Sequence, residues 1–260
     1  MIEKRMAGRT FKLEIEGQVA ELMMTRPEVL NAANWDWMRD LHQALDIIEA
    51  ADDLRAVIIT GEGRCFSTGI DLRALSVGEI EIDWFRSWER AMHRIELLQP
   101  VTIARMQGYA IGGGLQVALA CDLRVASEDA QMGLPAVLEA LIPGLGTHRL
   151  PRFIGLGRAR RMILTGEVIS AREALEIGLV DWVFPDRDIA RMTREIIEKL
   201  SAGSKTAQYL SKMLTNLAFD KNVEEACEIY LDYQARIMSS SDHQSAMENY
   251  RNLKKIKMDQ

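Results

Sequence analysis

Hydrophobic and polar positions alternate near the start of the chain with the period of two that is typical of β-strands. This pattern predicts two strands, over residues 11–15 and 19–24, with residues 16–18 as the turn between them. Short apolar runs further along predict buried strands. They lie at residues 56–60, 101–106, 123–125 and 179–184. The last of these is expected to stop at Pro185, because proline cannot donate a backbone hydrogen bond to a sheet.

Apolar residues at helical spacing fill the regions between these strands. They predict one helix over residues 35–50 and a second from Ile80 to Leu98, ended by Pro100. Shorter helices are predicted at residues 115–120, 157–164 and 171–175. The last of these opens with a capping box from Ser170 to Glu173. From residue 189 onward only helical periodicity is found, with breaks near residues 203, 222 and 239–241.

This order of elements predicts an α/β fold with two regions. Strands and helices alternate in a core over residues 1–200, and residues 201–260 form a helical region. The order strand, strand, helix recurs, although no repeat of fixed period is found.

Composition and charge narrow the possible functions. The 260 residues carry a net charge of -6, which argues against nucleic acid as a partner because phosphate binding requires surplus Lys and Arg. No apolar run approaches the roughly 20 residues that span a bilayer. The first ten residues lack the apolar stretch of a secretory signal. Three widely spaced cysteines suit a reducing compartment and no metal cluster. The sequence therefore predicts a cytoplasmic protein without a membrane or metal.

Two glycine-containing segments carry candidate chemistry. Residues 65–73 follow a predicted strand, and residues 107–115 lie between a strand and a helix. Gly112, Gly113 and Gly114 open that helix, where free N–H groups favour negative charge, including the oxyanion of a polarised carbonyl. Neither segment has the spacing of a dinucleotide-binding motif or a P-loop.

Taken in order, these segments resemble the crotonase (enoyl-CoA hydratase/isomerase) family. The resemblance also includes residues 25–32, 120–122, 132–135, 142–144, 164–167 and 170–180, so it covers nearly the whole chain. It implies a crotonase-like spiral of ββα turns with a C-terminal helical region that mediates trimers, which often pair into hexamers. It also implies acyl-CoA thioester substrates, with coenzyme A as part of the substrate and no permanently bound cofactor.

The resemblance also implies a binding site for the thioester. Its carbonyl would be polarised by the backbone amides of Ile70 and Gly113. The coenzyme A part would contact the two segments and the region before them. The implied residues are Val29, Leu30, Ser67, Gly69, Ile70, Asp71, Leu72, Arg73, Tyr109 and Gly112.

The chain departs from the family where hydratases carry two glutamates. Gln116 stands two residues after the glycine triplet and Ala136 follows Pro135, so neither position holds a general base, although Gln116 could still hydrogen-bond a water molecule or the substrate at the catalytic site. Glu139 is the nearest carboxylate, and a helical backbone would place it on the same face as Ala136. It would suit an isomerase or a hydrolase, unless it is an ordinary surface residue. His148 could also act as a general base, but we interpret it as a helix-surface residue.

Other side chains have structural and functional interpretations. Asp71 and Asp122 are expected to anchor a turn and a strand start, respectively. Arg73 could contact coenzyme A phosphates or be solvated. The stripe of Trp84, Trp88 and Met92 is expected to pack as core or pocket wall.

Three function classes follow from these observations. The first is an enzyme that acts on an acyl-CoA thioester through an oxyanion. The second is a catalytically silent acyl-CoA binder or assembly subunit, suggested by Gln116 and Ala136. A serine peptidase would need a Lys or His partner for Ser67, and the sequence offers no convincing one.

Overall fold

The computed structural model describes residues 2–258, and side chains over residues 5–252. Ten β-strands in this part form two sheets. In chain order they are β1 (Ile2–Ala7), β2 (Phe11–Glu16), β3 (Val19–Met24), β4 (Ala56–Gly61), β5 (Val101–Met106), β6 (Tyr109–Ile111), β7 (Leu123–Ser127), β8 (Gln131–Gly133), β9 (Val168–Ser170) and β10 (Trp182–Phe184).

Eleven α-helices lie within the same described residues, with 3-10 helices at Pro27–Val29 and Pro135–Glu139. The α-helices are α1 (Trp35–Glu49), α2 (Leu72–Ser76), α3 (Ile82–Leu97), α4 (Gly113–Ala120), α5 (Gly146–Ile154), α6 (Leu156–Thr165), α7 (Ala171–Glu176), α8 (Asp186–Ser201), α9 (Lys205–Asn216), α10 (Val223–Met238) and α11 (Ser241–Met258). None of them, over the residues described, is long and apolar enough to cross a membrane.

The larger sheet has seven strands in the order β1-β2-β3-β4-β5-β7-β10. Strand β2 pairs antiparallel with both β1 and β3, and the pairs from β3 to β10 are parallel. The smaller sheet contains β6, β8 and β9. Two successive turns of the chain, β5–β6–α4 and β7–β8–α5, each add one strand to each sheet and then a helix. This is the expected spiral of ββα turns.

Strand burial follows from this layout. In β2, Phe11, Leu13 and Ile15 are buried, whereas the residues between them are partly exposed. All six residues of β4 are buried, because a parallel strand inside a sheet is covered on both faces. The alternating pattern of β2 and the continuous apolar run of β4 therefore reflect different positions in one sheet. Both predicted strands are confirmed.

The predicted tryptophan stripe lies on α3. Trp84, Trp88 and Met92 are buried, as expected from their spacing. The ring of Trp88 stacks between those of Trp84 and Trp37, with centroids 5.2 Å apart in both pairs. This stack joins α3 to α1, and two of its rings, Trp84 and Trp88, line the site described below.

Several elements lie outside the sequence predictions. The strands β6, β8 and β9 have three residues each, which is too short for an alternation to be recognised. The sequence pattern did not indicate β1, and its first residues lie outside the described side chains. Helix α5 contains Pro151, a residue that normally ends helices. The remaining predicted elements are confirmed to within a few residues, except that β10 begins three residues later.

The chain divides into two compact units, with the boundary between Ile197 and Glu198. Within the second unit, helices α9, α10 and α11 are separated at the predicted breaks. Ser204 caps α9 by accepting from the Ala207 N–H, and Asn222 forms a capping box with Glu225 at the start of α10. Ser204 and Asn222 therefore lie at the predicted breaks and also cap the helices that follow them.

Candidate active site

The segment after β4 is bound firmly to the smaller sheet through Ser67. Its N–H donates to the Tyr109 carbonyl (3.0 Å), and its carbonyl accepts from the Ile111 N–H (3.0 Å). The buried hydroxyl donates to the Asn31 carbonyl (2.9 Å) and accepts from the Gly69 N–H (3.1 Å). Ser67 therefore holds the loop in shape, which supports the rejection of a serine peptidase.

The N–H of Ile70 faces away from its neighbouring segment. Ala33 donates to the Gly69 carbonyl (2.7 Å) and accepts from the Asp71 N–H (2.9 Å), which forms a parallel bridge between Ala33 and Ile70. In such a bridge the amide of the central residue points to the opposite side. The Ile70 N–H is therefore available to a ligand, and Ile70 lines the cleft described below.

Gly113 is the first residue of α4, so its N–H has no acceptor one turn earlier in the helix. Gly112 precedes it with a φ of 55°, a conformation that favours glycine. A Cβ on Gly69 would lie only 2.3 Å from the Gly113 nitrogen, so the two backbones are in direct contact. The two amides predicted from the sequence are thus brought together, at a helix start that favours negative charge.

A cleft that is open to solvent lies beside these amides, with Ile70 and Gly113 among its lining residues. Its lining is largely apolar and includes Trp84, Phe85 and Trp88 from α3, together with Leu141 and Ile142. The ring of Trp88 lies 2.9 Å from the position of a Cβ on Gly113, so the apolar wall begins at the amide itself. An acyl chain would fit against such a wall while its carbonyl meets the N–H groups.

Gln116, Ala136 and Glu139 all line this cleft. Gln116 is 7% exposed, and its Oε1 accepts from Trp88 Nε1 at 3.3 Å. Glu139 is exposed and ends the 3-10 helix that contains Ala136, where side chains three residues apart lie on one face. Glu139 therefore lies on the same face as Ala136, as expected for a helical backbone, and it is also exposed to solvent.

Glu89 is a second carboxylate of the cleft, and the sequence analysis missed it. Its Oε1 accepts from the Leu145 N–H (2.8 Å), and its Oε2 pairs with Nη1 of Arg149 (2.9 Å). Arg149 also binds Glu96 through Nε at 2.7 Å. A signal was present in the sequence, because Glu89 and Glu96 lie two helical turns apart and so share one face of α3.

The buried guanidinium of Arg149 controls the charges of this cluster. Burial alone would lower the pKa of Arg149, but the hydrogen bonds and charges of Glu96 and Glu89 outweigh it and raise the pKa. Burial raises the pKa of Glu96, and the hydrogen bond and charge of Arg149 reverse this, so its pKa lies below the usual value. Arg149 and Glu96 are therefore charged over the ordinary pH range.

The residues expected to contact coenzyme A divide into two groups. Ile70, Leu72 and Gly112 line the cleft. Those not among its lining residues are Val29, Leu30, Ser67, Gly69, Asp71, Arg73 and Tyr109. Arg73 and Tyr109 are exposed, whereas Ser67 is buried.

Two aspartates hold the framework as expected. Asp71 caps α2 by accepting from the Ala74 N–H and pairs with Arg26. Asp122 accepts from the N–H of Thr102 at 2.7 Å near the start of β5. His148 is exposed on α5 and is not among the lining residues of the cleft, in agreement with a helix-surface role.

Comparisons with known proteins agree with this geometry. The profile of the family described as enoyl-CoA hydratase/isomerase matches residues 14–260. The short-chain-enoyl-CoA hydratase of Clostridium acetobutylicum is 34% identical over 94% of this chain and 95% of its own length. A crystal structure of an enoyl-CoA hydratase from Bacillus anthracis superposes with a TM-score of 0.89 and 30% identity, covering 94% and 96% of the two chains.

A further solved relative carries a ligand. The Thermobifida fusca protein, in complex with acetoacetyl-CoA, has a TM-score of 0.80 and 28% identity over 89% of this chain and 96% of its own. With the fold and the paired amides, these findings show that the chain belongs to the enoyl-CoA hydratase/isomerase, or crotonase, family. The expected family and the spiral α/β fold are confirmed.

Proposed function

We propose that this protein processes an acyl-CoA thioester whose carbonyl oxygen is bound by the N–H groups of Ile70 and Gly113. The observation that supports the proposal is the direct contact of Gly69 with Gly113, together with the presence of Ile70 and Gly113 among the residues that line a largely apolar cleft. Such donors stabilise the negative charge that develops when the thioester becomes an enolate or a tetrahedral intermediate. The complex of the Thermobifida fusca relative with acetoacetyl-CoA supports this substrate class.

The reaction that fits best is proton transfer at the acyl chain, as in a double-bond isomerase. Hydration with two glutamates is disfavoured, because the amide of Gln116 and the methyl group of Ala136 cannot serve as general bases. A carboxylate of the cleft would remove a proton from C2 of a 3-enoyl-CoA while the paired amides stabilise the enolate oxygen. The same carboxylate would return the proton to C4, which leaves a 2-enoyl-CoA.

Hydrolysis of the thioester is the second candidate reaction. Glu139 stands in contact with solvent at the cleft, so a water molecule could reach it directly. A carboxylate there would accept a proton as the water attacks the thioester carbonyl. Free coenzyme A and a carboxylic acid would be the products.

A silent acyl-CoA binder is the alternative from another class. It is motivated by Gln116 and Ala136 at the two positions where hydratases of the family carry glutamates. Such a protein would retain the paired amides and the apolar cleft, but it would not change the acyl group.

We further propose that residues 201–260 mediate a homotrimer or a hexamer, with residues 1–200 as the acyl-CoA-binding core. Large apolar side chains are exposed on the helices of the second unit, including Val223, Leu231 and Met238. Sedimentation analysis would show the assembly, and a monomer would contradict this part. A cytoplasmic location remains a proposal based on the three free cysteines, to be tested by cell fractionation.

The deciding experiment is incubation with saturated, 2-enoyl, 3-enoyl and cyclic acyl-CoAs in D₂O, followed by chromatography and mass spectrometry. Conversion of a 3-enoyl-CoA or deuterium exchange at C2 would support proton transfer, and release of free coenzyme A would support hydrolysis. Addition of a water mass to a 2-enoyl-CoA would instead identify a hydratase. Binding without exchange or turnover across the panel would support the silent binder.

A further inference from the structure

We propose that Glu89 is the catalytic carboxylate of this cleft, an assignment that rests on the proton-transfer function proposed above. The family's hydratases place a glutamate at the position held here by Gln116, on α4. Glu89 approaches the same place from the neighbouring helix α3. A Cβ on Gly144 would lie 2.5 Å from Oε1 of Glu89 and 2.8 Å from Oε1 of Gln116. The carboxylate missing from α4 is thus supplied by α3.

The hydrogen bonds of Glu89 orient its carboxylate for proton transfer. Oε2 binds the buried Arg149 at 2.9 Å, and Oε1 accepts only the Leu145 N–H among the described residues, at 2.8 Å. A carboxylate oxygen can accept two hydrogen bonds, so Oε1 keeps one lone pair for a substrate proton. Two contacts fix the side chain before the substrate arrives, which lowers the entropy cost of the reactive geometry.

Glu139 lacks this fixation. It is exposed at the end of a 3-10 helix, and no hydrogen bond or ion pair fixes it within the described part of the chain. Ordering such a side chain costs conformational entropy in every catalytic cycle. Glu89 is therefore the better placed of the two carboxylates for repeated proton transfer.

Gln116 has a supporting role in this arrangement. Its Oε1 accepts from Trp88 Nε1 at 3.3 Å, so the amino group is the end left to donate toward the cleft. A neutral amide beside Glu89 also avoids the repulsion that a second carboxylate would bring, and such repulsion raises one pKa of a carboxylate pair. Gln116 thus offers a hydrogen-bond donor beside Glu89 without adding a second negative charge.

The proton moves without any other reactant. The bond between C2 and its hydrogen breaks, the proton goes to Oε1 of Glu89, and the electron pair forms a dienolate whose oxygen is bound by Ile70 and Gly113. The protonated Glu89 then gives the proton to C4. The C2–C3 double bond and the carbonyl form as the oxygen gives up its charge, and the carboxylate is restored.

The test compares Glu89→Gln with Glu96→Gln. Both changes remove one carboxylate partner of Arg149, but only Glu89 lines the cleft. Glu89→Gln should lower kcat and C2 exchange by roughly 10²- to 10⁴-fold, the range for loss of a general base. Its affinity for a saturated acyl-CoA, measured by calorimetry, should stay within about twofold. Glu96→Gln should keep most of the activity.

The outcomes separate the two proposals. Retained turnover in Glu89→Gln, or an equal loss in Glu96→Gln, would overturn the assignment of Glu89 while the proposed function stands. A larger loss in Glu139→Gln than in Glu89→Gln would give the role to Glu139. Neither exchange nor turnover by the unaltered protein would overturn both proposals. A second variant separates loss of the base from misfolding: Glu89→Asp keeps the charge but shortens the reach of the carboxylate, and it should recover part of the activity.

Discussion

The substitution Gly69→Ala tests the paired-amide geometry at its closest point. Gly69 has a φ of 86°, and an added Cβ would lie 2.3 Å from the nitrogen of Gly113. The methyl group would therefore crowd the N–H that, in the proposed function, binds the substrate oxygen. Gly78 offers a matched control, because its φ of 79° is nearly the same and nothing lies within 4 Å of its added Cβ.

The two alanine variants should differ in stability and in activity. The left-handed backbone costs a non-glycine residue roughly 1–2 kcal/mol, a cost that both variants share. Only Gly69→Ala adds the steric overlap with Gly113, which costs about 1–3 kcal/mol when the backbone must shift. Loss of one oxyanion donor lowers kcat by roughly 10²- to 10³-fold, and this loss is expected only in Gly69→Ala.

Urea unfolding and C2 exchange in D₂O would measure these two effects separately. We expect the free energy of unfolding to fall further in Gly69→Ala than in Gly78→Ala, with exchange lost only in the former. Equal unfolding free energies, together with full exchange activity in folded Gly69→Ala, would refute the geometry of the paired amides.

Three further predictions concern the cluster around Arg149. Arg149→Met should lower the free energy of unfolding by roughly 3–5 kcal/mol, because it leaves Glu89 and Glu96 without their buried partner; an unchanged urea midpoint would contradict this. The folded-state pKa of Glu96 lies below its ordinary 4.5, so its pairing stabilises the fold above about pH 4.5 and is lost as the pH falls further. Urea titrations should therefore show a weaker acid dependence in Glu96→Gln than in the unaltered protein. Gly144→Ala would displace Glu89 and Gln116, and on the order of a 10²-fold lower turnover is expected; wild-type kinetics would argue against their convergence.

Much of the fold could be predicted because burial of one face repeats apolar residues every second position in a strand and at helical spacing in a helix. The continuous apolar run at residues 56–60 indicates a strand covered on both faces, and the structure buries all of β4. Breaks near Gly203 and Asn222 mark real helix ends. The three-residue strands of the smaller sheet could not be found in this way. Their pairing depends on residues far away in sequence, as in the bridge between Ser67 and Ala110.

The candidate site likewise has a part that local sequence predicts and a part that depends on residues far apart in sequence. Backbone amides and glycines follow from ordered local motifs, so Ile70 and Gly113 could be named before their positions were known. The environment of Glu89 could not, because it requires α5 to place Arg149 and Leu145 against α3. By helical spacing alone, Glu89 cannot be distinguished from the other charged residues of α3 that flank its buried side chains. Only the tertiary arrangement distinguishes it from the solvated glutamates nearby.

The stacked rings of Trp37, Trp88 and Trp84 give the protein an optical reporter of its own. The first lies in the core, and the other two face the cleft beside the amide of Gly113. Both cleft-lining rings are almost fully buried, so an acyl group that enters the cleft would pack against them and should change the intensity of the tryptophan emission. Unfolding separates all three rings. Intrinsic fluorescence can therefore follow ligand entry and loss of the core in the same sample, without an added label.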